Sequence, residues 1–257
     1  MFGKLLSAIG IGSASVDTKL NTNAVQPGGM LSGVTHIKGG NSDQDLNPLY
    51  LHFVAKVKKT VETESGESYY YEQVSFSKVK ISEGFALKSK EEKQIPFNIP
   101  VPNEIALTAY KGAPLKYKDG HPIGIKTALD IDSALDKSDY DPIHVEPNAA
   151  MNAFMQAMEN MGFRIASAEL ETGRAVGSNL SFQQEIEFDA RHTKYSSKIS
   201  EVDVSFIGKQ GGCDVKLEIE KKGFFGSSEK NLSFYLDYAD YHKLDFEGWI
   251  DDVMRSI

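Results

Sequence analysis

EVDVSFIGKQGGCDVKLEIEK, residues 201–221, decides the fold. Two runs with apolar residues two apart flank Gly208-Lys209-Gln210-Gly211-Gly212. Side chains on a strand alternate between faces, so Val215, Leu217 and Ile219 point one way while Lys216, Glu218 and Glu220 point the other. The glycine-rich link supplies a reversing turn, and the whole reads as an antiparallel hairpin with one wet face.

The same rhythm recurs outward in both directions. It appears in VDTKLNTNAV (16–25), LYLHFVAKV (49–57), YYYEQVSFSKVKI (69–81), KTALDIDSAL (126–135), LSFQQEIEF (180–188) and LSFYLDY (232–238). Turn clusters such as Glu64-Ser65-Gly66 and Asp119-Gly120 separate the runs. Many short strands punctuated by turns argue for antiparallel β-sandwiches.

Three segments break the alternation. Residues 2–9 offer one or two helical turns. In PNAAMNAFMQAMENMGF (147–163), Asn148 is placed as an N-cap and Gly162 as a stop, with Met151, Phe154, Met155, Met158 and Met161 along one stripe. Core packing is the expected use of that stripe, and a partner surface is the alternative. In DFEGWIDDVMRSI (245–257), Phe246, Trp249, Ile250, Val253 and Ile257 form a second stripe. So short a helix needs something to lie against. Its own domain is the default, and docking on another protein is the alternative.

Pro142 and Pro147 precede the central helix, and strands resume after it. A domain boundary is therefore expected there, giving domains 1–147 and 148–257. Residues 1–147 hold 16 lysines against 18 acids, whereas the remainder holds 12 basic and 18 acidic residues, including all four arginines. The net charge of −8 argues against a dominant nucleic-acid surface. A single cysteine, Cys213, forms no intrachain disulfide, and a reducing, cytoplasmic compartment is expected. No run reaches membrane-spanning length, and the N-terminal apolar stretch is too short and too glycine-broken for a secretion signal.

The chemistry-bearing residues are scattered. His36, His52, His121, His144, His192 and His242 show no metal-ligand spacing, and Cys213 has no partner cysteine. Counting from Asp130, a calcium loop would need glycine sixth and glutamate twelfth; Leu135 and Asp141 stand there instead. Gly208–Gly212 joins strands and does not open a helix, so it is no phosphate loop. No catalytic, cofactor or metal site is expected.

VQPGGMLSGVTHIKGG (25–40) carries a resemblance. Pro27 sets φ for a turn, two glycines follow, and Gly33 leaves a bare position in the next strand, where a bulge forms or a neighbour comes close. A turn here would join a strand over 17–25 to one over 30–38. The pattern resembles the opening of the arrestin-like fold, as does the strand end Ile95-Pro96-Phe97-Asn98-Ile99-Pro100-Val101-Pro102. The opening Phe-x-Lys-x-Leu-(x)3-Gly-Ile-Gly-Ser-Ala-x-Val-Asp-Thr-Lys-Leu is similar to the bacterial sporulation-control (SpoOM) family. So are Met161-Gly162-Phe163-Arg164 and Gln184-Glu185-Ile186-Glu187-Phe188. The resemblance implies a mainly β chain of two antiparallel β-sandwich domains, with a connecting amphipathic helix and a short C-terminal helix. It also implies a cytoplasmic regulatory or adaptor role through protein partners, without enzymatic activity. Arrestins hold their domains together with buried opposed charges; by that resemblance Asp130, Asp132 and Arg164 are candidates for an interdomain polar cluster. An enzyme with a dispersed site on the same scaffold, and a peripheral membrane protein using the N-terminal segment, are the alternatives.

Overall fold

The computed structural model describes residues 14–64, 66–130, 137–222 and 228–257. The helical turns expected over residues 2–9 lie outside them. Among the described residues the chain is mainly β, with mostly antiparallel sheets and two α-helices.

A three-stranded sheet pairs β1 (Ser15–Leu20), β3 (Met30–Lys38) and β8 (Glu92–Pro100). The large sheet runs β12 (Lys137–Pro142), β11 (Ile123–Leu129), β5 (Leu49–Thr63), β14 (Arg164–Thr172), β15 (Phe182–Asp189), β16 (Ile199–Lys209), β17 (Gly212–Lys221), β18 (Ser228–Asp237); β6 (Gly66–Ser82) also pairs with β5. Three two-stranded pairs complete it: β2 (Ala24–Val25) with β13 (His144–Val145), β4 (Gln44–Leu46) with β7 (Phe85–Leu87), and β9 (Ala109–Tyr110) with β10 (Ala113–Pro114).

Alternation explains the first sandwich. Leu51, Phe53, Ala55 and Val57 of β5 and Ile123 and Ile125 of β11 are buried, as are Leu31, Phe97 and Ile99 of the smaller sheet. Gly33 pairs in regular register with Leu20 and Phe97. A Cβ there would stand 2.7 Å from the Phe97 ring and 2.5 Å from the Lys19 carbonyl, so the bare position serves a close neighbour.

The strand expected over 17–25 is split. β1 stops at Leu20, and Ala24–Val25 leaves to run parallel with His144–Val145. The Pro-Gly-Gly turn, closed by Gly29 N–H donating to Gln26 O at 3.0 Å, therefore links β2 to β3. The strand expected over 126–135 begins at Ile123 and ends at Leu129; residues 131–136 lie outside the described set.

Helix α1 (Ala149–Asn160) begins where Asn148 Oδ1 accepts the backbone N–H groups of Ala150 and Met151 at 3.1 and 3.0 Å. Met151, Phe154, Met155 and Met158 are buried, so the methionine stripe is core. After α1 the chain forms an antiparallel meander, β14 to β18. Its apolar face carries Ile186, Val204, Leu217 and Leu236. Helix α2 (Phe246–Arg255), capped by Asp245, closes over that face beside α1. Phe154 sits at the junction, with ring centroids 5.6 Å from Phe234, 5.7 Å from Phe246 and 6.3 Å from Phe206.

The large sheet does not stop at Pro147. β5 pairs with β11 through Ala55 and then meets β14 at Lys58, opposite Glu171. One hydrophobic cluster includes residues from both sides of that point.

Candidate functional site

Beyond Val57, β5 and β6 leave the sandwich as a hairpin paired to Thr63 and Gly66. Val61, Tyr69 and Tyr70 are among its exposed apolar side chains. Lysines lie over tyrosines across the strands: Lys56 over Tyr71 at 5.3 Å, Lys58 over Tyr69 at 5.5 Å and Lys59 over Tyr70 at 5.9 Å. At the base, Lys78 sits 3.8 Å from the Tyr50 ring centroid. Among the described strands β6 pairs with β5 alone, so its 17 residues form a sheet edge.

The outer face of β14 to β18 is acidic. Register places Glu169 opposite Glu185, Glu187 opposite Asp203, Asp203 opposite Glu218, and Glu201 opposite Glu220. Like charges directly opposite destabilise a sheet. Asp203 shows the consequence: burial, then Glu185, Glu201, Glu187 and Glu218, push its carboxyl up to about 7. Burial likewise raises Glu185, Glu201 and Glu218, with acidic neighbours adding to it. Asp203, Glu185, Glu218, Lys216 and Arg174 line a depression of about 520 Å³ on this face.

Lys58 joins the two regions. Its ammonium lies 2.7 Å from Glu171 Oε1 and 2.9 Å from Glu169 Oε2. The hydrogen bond to Glu171 holds Lys58 well above the usual lysine range, with Glu169 adding to it. Burial alone would raise Glu171, but Lys58 keeps that carboxyl below its ordinary value. A buried amide ties β15 to the segment at Leu107, outside the hairpin. Gln184 Nε2 donates to Leu107 O at 2.6 Å and its Oε1 accepts Leu107 N–H at 2.9 Å, while Tyr117 Oη bonds the same amide.

The residues expected in a polar cluster are placed otherwise. Asp130 is exposed, and its carbonyl accepts Asn47 N–H. Asp132 lies outside the described residues. The Arg164 guanidinium donates to the carbonyls of Glu159 and Phe163, both at 2.7 Å, at the end of α1. Among the described residues, no hydrogen bond or ion pair joins Asp130 to Arg164. Alternation alone does not reveal Lys58 as the link, because its partners are more than 100 positions away.

The terminal helix lies against its own domain. Phe246 and Ile250 are buried, and Trp249, Val253 and Ile257 pack against the core, with Trp249 4.5 Å from the Phe234 centroid. Cys213 is buried, and burial pushes its thiol up to about 12, away from the thiolate form. Among the described residues, no helix is long and apolar enough to cross a membrane, and no group of three or more histidines, cysteines and acids stands at metal-binding distance. His121 and His144, far apart in sequence, do meet, with nitrogens 3.4 Å apart.

Comparison with known proteins gives a consistent result. A crystal structure of Spo0M, a sporulation control protein from Bacillus subtilis, superimposes with a TM-score of 0.77 at 24% identity, covering 96% of this chain and 99% of that one. The sporulation-control protein spo0M of Bacillus subtilis (strain 168) is 29% identical over 221 residues, which is 86% of this chain and 81% of the relative. The family model described as SpoOM protein matches residues 2–223, and the chain therefore belongs to the SpoOM family.

Proposed function

We propose that this chain is a non-enzymatic regulatory adaptor of the cytoplasm that works by binding protein partners along the free edge of β6. The observation that carries the reading is that edge: 17 residues bonded to a neighbouring strand on one side, with exposed tyrosines and lysines. An extended segment of a partner can add to such an edge through main-chain hydrogen bonds, while side chains on alternate positions set specificity. Aromatic rings add contact area at low entropic cost. The sporulation-control name of the curated relative supports a regulatory role, and the lone, buried cysteine is compatible with a reducing compartment.

A second reading, an enzyme with a dispersed site, draws on Asp203, whose pKa of about 7 suits a general base. Among the described residues, no serine, threonine, cysteine or histidine hydrogen-bonds to it, so the adaptor reading is preferred. The membrane alternative concerns residues 1–13, which lie outside the described set.

The test is crosslinking of the tag-free chain in lysate of its own organism, followed by peptide mapping. Crosslinks to partners are expected at Lys59 and Lys78, and Tyr69→Ser with Tyr70→Ser should abolish them without changing Tm. Partner crosslinks that survive the double variant, or that map away from β6, would count against the reading.

A further inference from the structure

Two histidines separated by 23 positions meet at one end of the first sandwich. His121 follows the Asp119–Gly120 turn, just ahead of β11. His144 lies in β13, where its backbone N–H donates to Asn23 O at 2.6 Å. Nε2 of His121 and Nδ1 of His144 stand 3.4 Å apart. The ring centroids are 4.8 Å apart and the planes cross at 77°, an edge-to-face arrangement.

The second nitrogen of His121 settles its tautomer. Nδ1 lies 3.1 Å from the carbonyl oxygen of Ile123, which can only accept. Nδ1 therefore carries the proton and Nε2 presents a lone pair toward His144. A metal-ligating imidazole has this arrangement, its other ring N–H donating to a carbonyl or carboxylate.

The separation also fits. Two nitrogens bound at about 2.0–2.1 Å on a tetrahedron stand about 3.3–3.4 Å apart. Without an ion the contact is a long hydrogen bond, His144 Nδ1–H donating to His121 Nε2, and a divalent ion would take the place of that proton.

We propose that His121 and His144 form a two-histidine site for a borderline divalent transition-metal ion of the Zn²⁺, Ni²⁺ or Cu²⁺ class. Imidazole nitrogens select these ions over Mg²⁺ and Ca²⁺, which prefer oxygen. The protein supplies two ligands. The nearby Asp119 carboxylate is engaged with Lys56 at 2.7 Å. His121 also lines a surface depression of about 390 Å³, which opens its side of the pair to solvent. Such a site binds more weakly than a closed four-ligand centre.

The test is calorimetric titration of the tag-free chain with NiCl₂ and ZnCl₂ at pH 7.5. One ion per chain is expected, with affinity at least tenfold lower in His121→Ala and in His144→Gln, and unchanged in His242→Ala. Excess Mg²⁺ should not compete. A variant that misfolds is bypassed by NMR of the wild type: substoichiometric Ni²⁺ should broaden the ring signals of His121 and His144 before those of other histidines. No saturable binding, equal affinity in the variants, or first broadening elsewhere would overturn the site.

Discussion

The β5–β6 hairpin and the outer face of β14 to β18 are both wet surfaces of one sheet, yet they handle charge in opposite ways. Along the hairpin, lysines lie over tyrosine rings, and Lys59 also meets Glu72 at 3.3 Å. On the meander, carboxylates stand opposite carboxylates, and several hold their protons more tightly than usual. Among the described strands β6 pairs with β5 alone, and the hairpin has little apolar cover at its far end. The meander has two helices on its other side. An apolar face that is well covered can carry an unfavourable wet face, because burial of large side chains outweighs repulsion between solvated charges.

The strongest way to break this comparison is to remove the cover. Phe154→Ala should cost about 3–5 kcal/mol, since it deletes a fully buried ring shared by α1, α2, β16 and β18. Urea denaturation would measure it, and a loss below 1 kcal/mol would show that the helices do not support the meander.

The second test cuts the link. Lys58→Met leaves Glu169 and Glu171 without their shared cation, at a cost of about 1–2 kcal/mol at pH 7. Lys58 is raised, so its contribution is complete below the ordinary lysine pKa and lost as pH rises through the folded value. Glu171 is lowered, so its contribution is present above the ordinary glutamate pKa and lost as pH falls through the folded value. The deficit of the variant should be flat between about pH 5 and 10 and shrink at either end. A deficit independent of pH would indicate lost packing instead.

The smallest expected effect sharpens the contrast. Asp203 is raised to about 7, so ionising it costs the folded state more than the unfolded one. That cost is absent below about pH 4, grows toward pH 7 and is complete above it. Asp203→Asn should therefore stabilise by about 1 kcal/mol at pH 8, allowing for solvent screening, and by nothing at pH 4. Thermal unfolding at the two pH values decides it, and equal shifts at both would remove burial and repulsion of the ionised carboxylate as the cause.

Much of this was legible in the residues. Alternation located the strands of the meander, and the Gly208–Gly212 turn does join β16 to β17. Asn148 and Gly162 bracket α1, and the methionine stripe is core. The split of residues 17–25 was not legible, because two residues that keep the period can pair with a different strand. The site chemistry was harder still. His121 and His144 have no telling interval, and Lys58 looks like any lysine on a strand.

Sequence by itself determined which positions turn inward, where the chain reverses and where its helices begin, because those follow from side-chain period and backbone freedom within a few residues. Tertiary structure decided which strand lies beside which, that β5 carries the sheet past Pro147, and which carboxylates, lysines and imidazoles end up as neighbours. Those depend on contacts across many tens of residues, where burial and Coulomb energy act on distance in space and not on distance along the chain.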